Sequence, residues 1–282
     1  LGIIRTDIVE SHFSAQQTAS GKLSILVGMD SFCYSIYDAV GQLVFLRRIG
    51  LPPSDTFALD LAEISAQNPL LFFPYTQVVL AIGSSRHTFV PMRLFDPGSA
   101  RACLAHGNFV NPADRVCSAF VPPQRAHLVY AIPEVLDAWL SRNFPRVQPL
   151  HFSQAVLQQL PGSWQSGKRL LAHFWDNRIL LFYFENGRLA FENWFLCRDA
   201  RDFLYYLLLV FDRFQLSPET QEVALSGAIL QDSEVFRVLN RYIRQLTFTE
   251  LGTPLVYGKK MSAYAPHFFN DLNAILQFRA IS

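Results

Sequence analysis

The chain has 282 residues, half of them hydrophobic and 14% aromatic, and a net charge of +1. That length holds one large domain or two lobes, and 17% charged residues is too few for a disordered chain. The near-neutral balance argues against a nucleic-acid partner, which needs a basic stripe to offset phosphate charge.

In chain order, the first strong signal is "ILVGMDSFCYSIYD" (25–38), two apolar runs interrupted at Asp30. It reads as a strand and its antiparallel neighbour. "DAVGQ" supplies the next turn and "LVFLRRI" a third strand. A helix is expected over 54–66, with Ser54 or Asp55 as cap, then a strand over 76–82 ending at Gly83. Residues 87–125 read as a small inserted or irregular region bracketed by proline-containing segments. A strand at 127–132, a helix at 133–143, a strand at 147–152 and a helix at 153–160 follow.

The second half opens with "KRLLAHFWDNRILLFYFENGRLAFENWF" (168–195), again three strands. Asn186–Gly187 is a hairpin signal, because both residues tolerate positive φ. A helix over 199–214 is capped by Asp199. Its "FLYYLLLVF" core is apolar nearly all round and is expected to be buried on two sides. A strand at 221–226 ends at Gly227. A helix at 232–245, strand and loop at 246–257 and a helix at 266–277 complete the chain.

The two halves repeat. Residues 22–49 lie over 168–195 without a gap at an offset of 146, pairing Lys22 with Lys168, Asp30 with Asp176, Tyr37 with Tyr183 and Gly41 with Gly187. The same offset aligns 55–61 with 201–207, and "QVVLAIGS" (77–84) matches "QEVALSGA" (221–228) at 144.

Four cysteines stand at 33, 103, 117 and 197, with no C-x-x-C spacing. Cys33 and Cys197 fit reduced thiols in a core. The longest apolar run (203–211) is about half of what crosses a bilayer, so no transmembrane segment is expected. No secretory signal pattern is present, and cytoplasmic is the default expectation. The basic pairs Arg47–Arg48 and Lys259–Lys260 are expected on solvated surface.

Three meandering strands, a helix and a further strand resemble the start of a ribonuclease-H-like lobe. Two such lobes in tandem resemble the actin, sugar kinase and heat-shock ATPase superfamily. The expectation is an α/β protein with mixed sheets: residues 1–160 form a first lobe with an insertion near 87–125, and 161–282 a second. The stretch "HLVYAIPEVLDAWLSRNFPRVQPLHFSQAVLQQL" (127–160) resembles the type IV pilus assembly protein of actin-like fold, and also the cell-division actin homologue. "FLYYLLLVFDRFQLSPETQEVALSGAI" (203–229) is closer to a family of bacterial proteins described as having an actin-like ATPase fold, with no assigned activity. That similarity runs over most of the chain.

In active members of that superfamily an aspartate ends the first strand of each lobe. Glycines after it leave amides bare for phosphate, and a later glycine pair seats adenosine. The resemblance makes Asp30, Ser31, Asp176, Asn177 and Gly227 the cleft candidates. Here Asp30 is followed by Ser31 and Phe32, Asp176 by Asn177 and Arg178, and Gly227 is half of the expected pair. The glycines are missing. A tight strand-to-strand turn favours Asp and Asn without any ligand. The expected function is therefore a non-enzymatic protein-binding or scaffold module with a degenerate nucleotide cleft, a pseudo-ATPase with no cofactor. The pilus and division relatives imply an unidentified protein partner and peripheral association with a membrane assembly. The alternative is a divergent ATPase or kinase using Mg-ATP in the inter-lobe cleft. Three smaller features stand apart: His173 as a base or a core histidine, "YGKK" (257–260) as a phosphate contact, and "GSSRH" (83–87) as an anion nest or a plain turn.

Overall fold

The structure is a computed structural model that describes residues 3–51 and 57–279. The cap candidates Ser54 and Asp55 lie outside the described residues. The chain forms two compact units. Unit 1 takes Leu1–Gln158, Leu255–Ala263 and Ile275–Ser282; unit 2 takes Gln159–Pro254 and Tyr264–Ala274. The sequence reading draws a single break between 160 and 161.

Unit 1 is built on a mixed sheet. Its strands are β1 (Ile3–Val9), β2 (Lys22–Val27), β3 (Ser31–Tyr37), β4 (Gln42–Gly50) and β5 (Gln77–Ile82). Helix α1 (Phe57–Gln67) joins β4 to β5. A second, three-stranded sheet follows: β6 (His87–Pro91), helix α2 (Ala100–Ala105), β7 (Arg115–Val121) and β8 (Ala126–Ile132). Then come α3 (Glu134–Asn143), the short β9 (Leu150–His151) and α4 (Phe152–Gln158). The large sheet runs β1-β4-β3-β2-β5-β9. Every residue of β3 is buried, which explains why its apolar run does not alternate.

Unit 2 carries β10 (Lys168–Trp175), β11 (Arg178–Glu185), β12 (Arg188–Leu196), α5 (Ala200–Arg213), β13 (Glu222–Gly227), α6 (Glu234–Tyr242) and β14 (Gln245–Phe248). Strand β15 (Val256–Tyr257) returns to unit 1 and pairs with β4 beyond the end of β1. A 3-10 turn at Pro266–Phe269 and α7 (Asn270–Gln277) close the chain. The unit 2 sheet runs β12-β11-β10-β13-β14. Phe174, Leu181, Phe203, Leu207 and Leu225 are among its core. Asn186 (φ 50) and Gly187 (φ 77) turn β11 into β12, and Asp199 accepts from the amides of Arg201 and Asp202 to cap α5.

Several expectations are corrected. The 87–125 region is not irregular: with β8 it makes its own sheet, whose core is Val90, Leu104, Val129 and Ala131. The strand expected at 147–152 shrinks to Leu150–His151, because Pro149 cannot donate to a ladder. Helix α5 is not buried on two sides, since Tyr205 is 61% and Leu209 44% exposed. The Arg47–Arg48 pair is not plain solvated surface. Arg48 is buried, and Arg47 meets Asp7 at 2.7 Å, donates to Asn68 Oδ1 at 2.9 Å and lies over the Phe45 ring.

Candidate functional site

Each unit presents an aspartate in the turn between its first two meander strands. In unit 1 the Gly28 amide donates to the Ser31 carbonyl at 2.8 Å, closing a two-residue loop of Met29 and Asp30. The Asp30 carbonyl accepts the Leu51 amide at 2.7 Å. In unit 2 Trp175 pairs with Arg178 around Asp176 and Asn177, and the Asn177 carbonyl accepts the Cys197 amide at 2.7 Å. Asp176 has φ 51, a conformation that Asx residues tolerate better than most. These are the shortest hairpin loops the backbone allows, and they leave few amides for a ligand.

The other candidates have structural explanations of their own. Phe32 turns into the core: it is fully buried, with its ring edge-on to Trp139 at 6.0 Å. Ser31 is buried. The Gly83 amide donates to the Val27 carbonyl, and the Ala228 amide to the Phe174 carbonyl, each at 2.8 Å. Gly227 has φ 83, and a Cβ there would run into the Phe174 carbonyl. That close backbone approach accounts for the glycine.

These bonds also fix which residues of the two halves correspond. The loop-closing pair Gly28/Ser31 answers to Trp175/Arg178, an offset of 147. The register shift after Ile36 answers to the one after Tyr183, again 147. Asp30 therefore corresponds to Asn177, and Met29 to Asp176. The sequence match at 146 is one residue out in these strands, because identical residue types drew it away from the hydrogen-bond register.

A cavity of about 190 Å³ lies beside the unit 1 turn, between Gly28, Met29, Gly83, Ser84, Arg86 and Leu136. It is smaller than the roughly 300 Å³ at which ligand pockets begin. The segment 83–87 is a turn held by polar contacts. The Ser84 carbonyl accepts from His87 Nδ1 and His151 Nε2, both at 2.9 Å, and Arg86 meets Asp114 at 2.6 Å. The Ser153 amide donates to His151 Nδ1 at 3.3 Å, so His151 is neutral with its proton on Nε2. Burial, then the neighbouring His87, holds it well below the ordinary histidine range. Sequence reasoning missed this pair, since 64 residues separate the two rings and no spacing could reveal them.

The remaining motifs are used internally. His173 is a fully buried core histidine. Its Nδ1 is bonded to Ser226 Oγ at 3.0 Å, which also accepts from Asn270 Nδ2 at 2.7 Å. In "YGKK" the anion is the protein's own: Glu10 Oε1 accepts the amides of Lys260 and Met261, both at 2.9 Å. Cys33 and Cys197 are buried free thiols, and burial pushes Cys197 up to about 12.

The family described as "Protein of unknown function (DUF3822)" matches residues 10–246, and the chain belongs to it. Curated protein sequences give no match. Among solved structures, the chain is similar to a Bacteroides thetaiotaomicron protein with actin-like ATPase fold and unknown function. Identity is 20%, coverage 95% of this chain and 100% of that one, and the TM-score 0.76. It is similar to a chain of the PilM-PilN type IV pilus biogenesis complex at 13% identity, covering 90% and 97%, with a TM-score of 0.58. The ethanolamine utilization protein EutJ from Carboxydothermus hydrogenoformans is 8% identical, covering 92% and 90%, at a TM-score of 0.51. The fold is the actin-like ATPase fold of duplicated ribonuclease-H-like lobes.

Proposed function

We propose that this DUF3822 member is a non-enzymatic protein-binding module, an actin-like fold whose nucleotide-holding turns have degenerated. The observation that carries the reading is the use of the turn amides. Those of Gly28, Gly83 and Ala228 are spent on backbone bonds of 2.8 Å, where a phosphate cradle would leave them bare. Charge-assisted bonds contribute roughly 1.5–3 kcal/mol each, so losing several weakens nucleotide binding by orders of magnitude. The PilM-PilN complex pairs a similar fold with a protein partner. By analogy, the module works in the cytoplasm, on a protein partner at the edge of a membrane assembly.

The second reading is an ATPase or kinase in which Asp30 and Asp176 hold magnesium while Ser31, Asn177 and Gly227 touch the nucleotide. The cavity beside Gly28 and Gly83 favours it. Melting the protein with and without millimolar Mg-ATP separates the two. A site at 100 times its Kd adds about 2.7 kcal/mol of stability. The scaffold reading expects no shift. A shift that Asp30→Ala or Asp176→Ala abolishes overturns it.

A further inference from the structure

Helices α1 and α3 lie side by side in unit 1, and their seam is an apolar groove of about 630 Å³. Leu61 forms a buried floor, and Ala62, Val135 and Ala138 form exposed sides. The Trp139 ring is locked in place: its Nε1 donates to Ser65 Oγ at 2.9 Å, and that hydroxyl donates to the Leu61 carbonyl at 2.8 Å. The apolar surface continues from Trp139 through Phe144 at 5.4 Å to Phe72 at 6.0 Å, and Phe72 is 41% exposed. Contiguous exposed apolar surface of this kind marks an interaction site.

The charges say what covers it. Glu134 and Asp137 stand in the first turn of α3 and Arg142 in its last. Asp137 is occupied by Arg115 at 2.8 Å. Arg142 lines the groove and has neither ion pair nor hydrogen bond among the described residues. Two helices of 11 and 10 residues offer about 16 Å of seam, room for three turns of a third helix. A helix is stabilised by carboxylates at its N-terminus and cations at its C-terminus. Laid antiparallel to α3, such a helix brings its acidic turn to Arg142 and its basic turn to Glu134.

We propose that this groove receives an amphipathic helix of a partner protein, antiparallel to α3, with acidic first-turn residues against Arg142 and apolar anchors at i, i+3 or i+4, and i+7. The proposal rests on the protein-binding reading above. A displayed library of 18-residue amphipathic peptides, randomised at both terminal turns and selected on the full chain, tests it. Selected binders should carry acidic first turns, lose at least tenfold in affinity to Arg142→Glu, and fail on Ala138→Trp, which fills the groove from an exposed position. Val135→Glu, also exposed, checks the result where Ala138→Trp lowers the melting temperature. Binders indifferent to these substitutions, an acidic preference at the other end, or no binders at all overturn it. So does a dimer of this chain dissolved by Ala138→Trp. Capture from host extract separates the two levels: a partner held equally by wild type and Ala138→Trp removes the groove but keeps the protein-binding reading. Nothing held by wild type removes that reading itself.

Discussion

Replacing Gly227 by alanine distinguishes a glycine kept for the backbone from one kept for a ligand. Gly227 sits at φ 83, where an L side chain costs about 1–2 kcal/mol. The added Cβ also runs into the Phe174 carbonyl and comes to 2.9 Å from His173 Cε1. A backbone carbonyl in a parallel ladder cannot swing aside, and His173 is fully buried, so overpacking adds about 1–3 kcal/mol. The expected loss is about 2–5 kcal/mol. Gly167→Ala is the internal control. It lies in the same unit at φ 71 with nothing within 4 Å, so it should lose only the conformational part, about 1–2 kcal/mol. Urea unfolding followed by tryptophan fluorescence suits the comparison, because Trp164, Trp175 and Trp194 all lie in unit 2. Equal losses in the two variants would refute the close-approach argument and return Gly227 to the ligand candidates.

Stability should fall as pH drops below 6.5. His151 is held neutral by burial, so the unfolded chain takes up a proton there that the folded chain refuses. The slope is up to about 1.4 kcal/mol per pH unit for each such histidine. Urea midpoints at pH 7.5 and 5.5 read it, and a slope unchanged in His151→Gln would count against the assignment. Glu10→Ala leaves the Lys260 and Met261 amides without their acceptor and should cost about 2–4 kcal/mol. Glu10→Gln keeps an oxygen there and should lose less; equal urea midpoints for the two would contradict the carboxylate's capping role.

What was legible in the sequence was what is local. Asn186–Gly187 announced a hairpin because positive φ at both positions is cheap only for such residues, and Asp199 announced α5 because a cap acts within three residues. The same locality hid the rest. Strand β1 is an edge strand with Arg5, Thr6 and Asp7 at its centre, so its pattern carries no strong apolar run. The small sheet was masked by Pro91, Pro97 and Pro122, which mark its ends rather than a lack of order. In α5 the apolar run overstated burial, since only the face of Phe203, Leu207 and Val210 packs inward. The His87–His151 pair, Arg86–Asp114 and the Glu10 clamp join residues far apart in the chain, and side-chain chemistry of that kind leaves no periodic trace.

The one-residue slip between the halves bears directly on the paired aspartates. Each hairpin loop has two positions, and each unit fills one of them with aspartate: the second in unit 1, at Asp30, and the first in unit 2, at Asp176. A magnesium ion held by one carboxylate from each copy of a duplicated lobe would draw on equivalent loop positions. Turn chemistry makes no such demand. It asks only that each loop contain a residue that bends the chain, and at Asp176 the demand is explicit in its positive φ. Both aspartates are thus accounted for one at a time, by their own hairpins. The likeness of "GMDSF" to "FWDNR" is a convergence of turn residues on top of a genuine repeat of strands.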